Sequence, residues 1–416
     1  MNNTTRGNRL HIALFGRRNA GKSSLINALT NQQVAIVSEI AGTTTDPVYK
    51  SMEILPLGPV VMIDTAGLDD TGELGEMRIK KSLEVLAKTD LALLVMDSQT
   101  GTGQLEQEVA RLCLEKDIPA IGVINKIDKF PIDSLKLEKF KQQLGIKNLV
   151  TVSALTKAGI SDLKIALVKT APVCFDNLTI VGDLIGPGDT AVLVTPIDLA
   201  APKGRLILPQ VQVIRDILDC DAMAYVVKER ELKACIANMK QKPRIVITDS
   251  QAFLKADADT PSDVLLTSFS ILFARYKGNL EVLVEGAKTL LALQPGDKVL
   301  MSEGCTHHRV EDDIGTVKLP RWIRQFVGGE VQFEWSSGMT LPDDLSKFKL
   351  VVHCGACMLN RREMLARIVQ AQEQGVAIVN YGVAIAALQG ILLRALSPFP
   401  LLVEMLDNDV ECNQKG

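Results

Sequence analysis

Two groups of residues in this chain have the types and spacing of working chemistry. Cys305-Thr306-His307 and His353-Cys354-Gly355-Ala356-Cys357 offer three thiols and two imidazoles to one metal. Gly16-Arg17-Arg18-Asn19-Ala20-Gly21-Lys22-Ser23 is a glycine-bearing loop of the kind that cradles phosphate. Thiolate and imidazole suit a soft or borderline metal. Glycines let backbone N–H groups approach phosphate oxygens, and a helix start just beyond them adds partial positive charge.

The phosphate loop has companions in the expected order. Lys22 should reach the β and γ phosphates and Ser23 should bind Mg²⁺. Asn19, Ala20, Gly21 and Ser24 complete the stretch that lines the nucleotide. In Asp64-Thr65-Ala66-Gly67, Asp64 would hold Mg²⁺ through water, and the Gly67 N–H would sense the γ-phosphate. Asn125-Lys126-Ile127-Asp128 supplies a base reader, because Asp128 can accept both N–H groups of the guanine edge. Adenine would leave that buried carboxylate unpaired, a mismatch that costs roughly 10⁴-fold. Ser153-Ala154-Leu155 would add a backbone contact to guanine O6. The ordered set reads as a GTP site with Mg²⁺.

The sulfur cluster admits several chemistries. Three cysteines and a histidine make a structural zinc set. Three cysteines with one exchangeable position also suit a [4Fe–4S] cluster, and Cys354 and Cys357 alone could cycle as a redox pair. Inert buried thiols complete the alternatives. The long separation of the two halves and the small Gly355-Ala356 interior favour an open cluster. Cys113, Cys174, Cys220, Cys235 and Cys412 stand alone and read as ordinary thiols. His11 reads as a core or edge residue of the first strand.

These motifs need a scaffold, and hydropathy patterning provides one. The fold class is α/β: a P-loop GTPase domain, then a small α/β domain expected to self-associate, then an α/β parallel-sheet domain that carries the sulfur and imidazole residues. Over 10–170, apolar runs at 10–15, 60–63, 91–97, 120–124 and 149–152 alternate with amphipathic stretches. That pattern implies a parallel sheet covered on both faces. Periodicity is lost near Pro172, so the GTP-binding domain is placed at 1–172. A unit at 178–260 has strands near 190–196, 222–227 and 244–248, and its small core suggests self-association. A linker is expected at 257–261, and the cluster-binding domain at 262–416. There, strands at 298–302 and 348–352 end just before Cys305 and His353, and a helix is expected at 361–373. Ligands at the carboxyl ends of parallel strands are the rule in open α/β sheets.

Composition narrows the classes further. With 416 residues and a net charge of −3, the chain should hold two to four domains and no strong phosphate-backbone binder. Aromatics at 4% give little surface for stacking bases, so no nucleic acid partner is expected. The eight cysteines are sparse and no signal peptide precedes them, which predicts reduced thiols in the cytoplasm. The apolar run 376–396 is interrupted by Asn380, Tyr381, Gly382, Gln389 and Arg394. A spanning helix wants about twenty uninterrupted apolar residues, so this run reads as a buried strand and helix, with no membrane partner.

On the quoted motifs, 10–170 resembles the Era/TrmE-like GTPases. The resemblance implies that Ala41-Gly42-Thr43-Thr44-Thr45-Asp46 is switch I, with Thr44 on Mg²⁺ in the GTP state. It implies that Asn19 helps bind a K⁺ that offsets charge developing on the phosphates; a plain turn residue is the other reading. Leu68 stands where Ras-like proteins carry a water-orienting glutamine, so turnover should be slow, assisted by K⁺ and by Asp69, Asp70 or Glu73.

Taken with the middle unit and the Cys305, His307, His353, Cys354, Cys357 pattern, the whole chain resembles the HydF family of [FeFe]-hydrogenase maturation GTPases. The resemblance implies a [4Fe–4S] cluster on Cys305, Cys354 and Cys357, with His307 or His353 as a candidate fourth ligand. It further implies a homodimer or larger assembly, and two radical-SAM maturation enzymes as partners. A transient diiron precursor would be delivered to apo-[FeFe]-hydrogenase. The contrasting expectation is an RNA- or ribosome-associated GTPase with a zinc-stabilised accessory domain.

Overall fold

The computed structural model describes residues 9–30, 47–54, 58–65, 84–172, 179–196, 206–304, 313–338 and 341–413. The chain divides into two compact units, Met1–Asn177 and Leu178–Gly416. The expected switch residues Thr44, Gly67, Leu68, Asp69, Asp70 and Glu73, and the ligands Cys305 and His307, lie outside the described residues, as does Cys174.

The first unit is built on a six-stranded sheet ordered β2-β3-β1-β4-β5-β6. Its strands are β1 Leu10–Phe15, β2 Val48–Ile54, β3 Gly58–Asp64, β4 Leu91–Asp97, β5 Ala120–Asn125 and β6 Asn148–Thr151. β1 is buried along its whole length, which is why it reads as an unbroken apolar run. His11 belongs to that core, with Nδ1 2.8 Å from the Arg9 carbonyl oxygen. The expectation of a purely parallel sheet needs correction, because β2 pairs antiparallel with β3. Its sequence VYKSMEI is polar along much of its length, as an edge strand with one wet side requires. Helices Lys22–Thr30, Gln104–Glu115, Ser134–Leu144 and Ile160–Thr170 accompany the sheet, and two separate apolar clusters pack on its faces.

The second unit contains two four-stranded parallel sheets. The first is ordered β10-β9-β7-β8, from β7 Thr190–Val194, β8 Met223–Val227, β9 Ile245–Thr248 and β10 Leu265–Ser268. The second is ordered β12-β11-β13-β14, from β11 Lys298–Glu303, β12 Gln332–Ser337, β13 Leu350–His353 and β14 Ala377–Asn380. Both follow one winding scheme: out to one side of the first strand, then back across to the other.

The linker expected at 257–261 is not there. Asp257 lies in the helix Phe253–Asp259, and β10 beyond it completes the middle sheet in parallel register with β9. The Pro261 turn that suggested a boundary is a helix-to-strand connection. The core of the middle sheet is also larger than its length suggests. Leu193, Val213, Ile247 and Phe253 belong to the same buried cluster as Leu272, Met301, Val351 and Ile385. The opposite face packs a smaller cluster around Val192, Val246 and Leu266.

The apolar run 376–396 resolves as β14 followed by the helix Tyr381–Leu388, whose residues Gly382 to Ala387 are buried. It is apolar all round because it is enclosed by protein. No helix among the described residues is long and apolar enough to cross a membrane.

Candidate functional site

The nucleotide residues meet at the carboxyl ends of β1, β3, β5 and β6. Gly16 follows β1 with its Cα against the Val95 carbonyl, where an added Cβ would strike that oxygen. Gly21 has φ +92°, and a Cβ there would strike the Asn125 side-chain amide. Both positions therefore need glycine for close approach. Lys22 is buried at the start of its helix, with Nζ donating to the Gly16 carbonyl at 2.7 Å and the Arg17 carbonyl at 3.0 Å. The ammonium thus sits inside the curl of the loop. Asn19 occupies the left-handed region at φ 61°, a turn conformation that asparagine tolerates well.

Ser23 Oγ donates to Asp64 Oδ2 at 2.6 Å, so the last residue of β3 and the helix start present two hard oxygens side by side. That donor set fits Mg²⁺, which takes oxygen ligands and keeps several of its waters.

The base-reading side is held by a cross-braced set of hydrogen bonds. Asn125 Nδ2 donates to the Ala20 carbonyl at 3.0 Å, tying the end of β5 to the phosphate loop. Asn125 Oδ1 accepts from the Lys126 N–H at 2.8 Å and the Ala154 N–H at 3.0 Å. Ser153 Oγ donates to Asp128 Oδ1 at 2.6 Å, which orients the carboxylate. Lys126 Nζ donates to Asp97 Oδ2 at 2.7 Å. Burial alone would raise the Asp97 carboxyl, but Lys126 and the Gln99 N–H hold it below the usual range. Every predicted nucleotide residue among the described ones falls in this one region.

In the second unit, the winding of the last sheet turns back between β11 and β13, and such a switch point is where open α/β sheets bind ligands. Cys305 follows β11 closely in sequence, and Cys354 directly follows β13. The register aligns Ser302, His353 and Asn380 across the three strand ends. The Cys354 N–H donates to the Ser302 carbonyl at 2.9 Å, and Cys354 Sγ accepts from the Gly304 N–H at 3.2 Å. Desolvation pushes the Cys354 thiol up, opposed by N–H groups of Gly304 and Ala356 and by the Arg367 guanidinium. Neither Cys354 nor Cys357 forms a disulfide. Between them Ala356 adopts φ 53°, which folds the loop tightly. Two half-buried thiols beside Gly355, one of them accepting backbone N–H, are chemically suited to be part of an iron–sulfur donor set, while among the described residues no group of three or more metal-type side chains comes together.

His353 is positioned differently from the expectation. It is fully buried, with Nδ1 2.7 Å from the Cys354 carbonyl oxygen and Nε2 2.7 Å from Arg367 Nη1. The carbonyl can only accept and the guanidinium can only donate, so the proton sits on Nδ1 and the Nε2 lone pair is engaged. Burial, then Arg367, pull its pKa down to about 3. In this geometry His353 braces the Cys354–Cys357 loop, and neither nitrogen is open to a metal.

Two functional side chains were missed. Arg367, on the helix Arg361–Glu373, also donates to Ser302 Oγ at 3.4 Å and to the Gly338 carbonyl at 2.7 Å. Lys277, the last residue of the helix Phe269–Lys277, donates to carbonyls of the ligand loop. Both are nearly completely buried, and nothing in a helical periodicity distinguishes them from surface cations.

Comparison with known proteins adds three matched family models. Residues 281–398 match the hydrogen maturase F tetramerization domain, and 180–278 match the hydrogen maturase F dimerization domain. Residues 11–126 match the 50S ribosome-binding GTPase model. GTPase Der of Campylobacter jejuni (strain 81-176) is 35% identical over 158 residues, covering 36% of this chain and 34% of that protein. The tRNA modification GTPase MnmE of Moorella thermoacetica is 41% identical over 158 residues, covering 37% and 33%. The chain thus spans about a third of the length of the curated relatives it matches. Among solved structures, Era bound to MgGDPNP and a segment of 16S ribosomal RNA aligns at 21% identity and TM-score 0.35, covering 54% of this chain and 95% of that one.

Proposed function

The chain belongs to the hydrogen maturase F family, and from that premise we propose that it is a GTP-hydrolysing scaffold that assembles and delivers the diiron precursor of the [FeFe]-hydrogenase active site. One observation carries the reading: two cysteines, neither in a disulfide, at the switch point of a sheet that matches a hydrogen maturase F domain, in a chain whose first unit matches a GTPase model. Cys305, Cys354 and Cys357 would hold a [4Fe–4S] cluster. When bound, that group supplies an iron with an exchangeable position. His353 keeps the loop in shape, which leaves His307 as the histidine candidate for the fourth ligand. The precursor is cargo, received from two radical-SAM maturation enzymes and passed to apo-hydrogenase in a reducing cytoplasm.

GTP is the substrate of the first unit. Asp128 reads the guanine edge, Lys22 neutralises phosphate charge, and Ser23 with Asp64 and Thr44 holds Mg²⁺. Gly67 reports the γ-phosphate. Asn19 contributes to a K⁺ site, and exchange of K⁺ for Na⁺ should slow hydrolysis by about 10²-fold, the scale of losing one fixed charge-stabilising contact. Equal steady-state rates in the two salts would return Asn19 to a plain turn residue.

Self-association is supported by the two matched oligomerisation models and by the middle sheet itself. β8 is an edge strand whose Met223, Tyr225 and Val226 are exposed, and such an edge invites pairing with a second copy. The RNA-associated alternative draws on the first unit alone, whereas 180–398 is occupied by hydrogen maturase F matches.

The deciding experiment is anaerobic reconstitution with iron and sulfide. About four irons per chain and a reduced-state S = 1/2 EPR signal are expected for a single cubane. Tight zinc with no signal would replace the scaffold reading by a structural zinc domain.

A further inference from the structure

The Cys354–Cys357 loop turns several carbonyls inward, away from water. Lys277 Nζ donates to the Ala356 carbonyl at 3.2 Å, the Cys357 carbonyl at 2.9 Å and the Leu359 carbonyl at 2.8 Å. An ammonium has three protons, so all three are used on this one loop. The side chain is 1% exposed, and its Nζ lies 5.7 Å from the centre of the Phe273 ring. A buried lysine is costly to desolvate, and an apolar residue at this place would pack at lower cost. Its burial needs a compensating contact, and the loop provides one. A trans peptide points its C=O and N–H in opposite directions. With the carbonyls of Ala356 and Cys357 fixed on Lys277, the N–H groups of Cys357 and Met358 must face the other way.

We propose that Lys277 is a positioning residue for the loop that carries Cys354 and Cys357: it gathers the inward carbonyls of Ala356, Cys357 and Leu359, sets the outward aim of the loop's N–H groups, and places an ammonium on the inner side of that loop. The inference rests on the iron–sulfur reading for its second readout only. Its first readout is a property of metal-free protein.

The test compares full-length Lys277→Met and Lys277→Gln with the unaltered chain. Methionine matches the length of the buried stem and removes every donor. In metal-free K277M, the Leu359 N–H, which donates to the Ala356 carbonyl at 3.2 Å, should exchange with deuterium at least about tenfold faster, because local opening no longer breaks the three bonds to Lys277. Glutamine keeps an N–H donor without the charge, so K277Q should retain part of the protection and remains informative if K277M does not fold. After anaerobic reconstitution, both variants should show a more negative midpoint potential, since net charge and hydrogen bonding near the cluster set it. A merely structural lysine would leave the potential in place. Wild-type exchange in K277M, or an unmoved potential in both variants, overturns the proposal. If the unaltered chain takes up no iron, the cluster reading has failed, and the exchange comparison still decides the role of Lys277.

Discussion

Asp128→Asn should reduce GTP affinity by roughly 10³- to 10⁴-fold and transfer the preference to xanthosine triphosphate. The carboxylate is held by Ser153 at 2.6 Å, and the Ile127 N–H donates to the Val152 carbonyl at 3.4 Å, so the reader is placed before any base arrives. Guanine offers two donors on that edge, N1–H and the 2-amino group. A carboxylate accepts both, whereas an amide accepts one and sets its own N–H₂ against the other. Xanthine carries a carbonyl at C2, which pairs with that N–H₂. The penalty is large because a polar group left unpaired against a bound base loses its hydration as well as its partner. Isothermal titration with both nucleotides measures it. Undiminished GTP binding by D128N would mean that the base lies elsewhere.

Cys354→Ser should remove most of the iron taken up on reconstitution while GTP turnover stays close to that of the unaltered protein. Serine nearly preserves the shape of cysteine, so the Gly304 N–H that donates to the sulfur keeps an acceptor and the loop keeps its fold. What changes is the donor atom. A hydroxyl stays protonated where a thiol ionises, and hard oxygen is a poor match for cluster iron. Iron per chain, visible absorption and steady-state GTP hydrolysis are to be measured on one preparation. Full iron content would remove Cys354 from the ligand set. Loss of GTP turnover along with iron would show that the two activities are not separable.

How much of this was legible in the chain depends on the range of the interactions. The phosphate loop, the Asp64 and Asn125–Asp128 segments and the CxxC loop were readable because each is a short local pattern placed by an apolar strand. The helix Arg361–Glu373 matched its expected span to the residue, since Asn360 caps it by accepting the Glu363 N–H at 2.8 Å. β2 escaped because an edge strand alternates with polar residues and resembles loop sequence. β10 escaped because Pro261 looked like an ending. The roles of His353, Arg367 and Lys277 were illegible for another reason. Arg367 reaches His353 across 14 residues and Lys277 reaches Cys357 across 80, and sequence spacing carries no record of such pairings. The thiols can be read from the chain; the buried cations packed beside them belong to tertiary structure.

The apolar core that runs unbroken from Leu193 and Phe253 to Met301 and Val351 makes the middle and last sheets thermodynamically one body. They should melt in a single cooperative transition. Mass action would then couple assembly to the thiols: a second copy paired along β8, as proposed above, would favour the folded form of the strands that end at Cys354. Dilution to the point of dissociation would loosen that loop from a distance, with no metal chemistry involved.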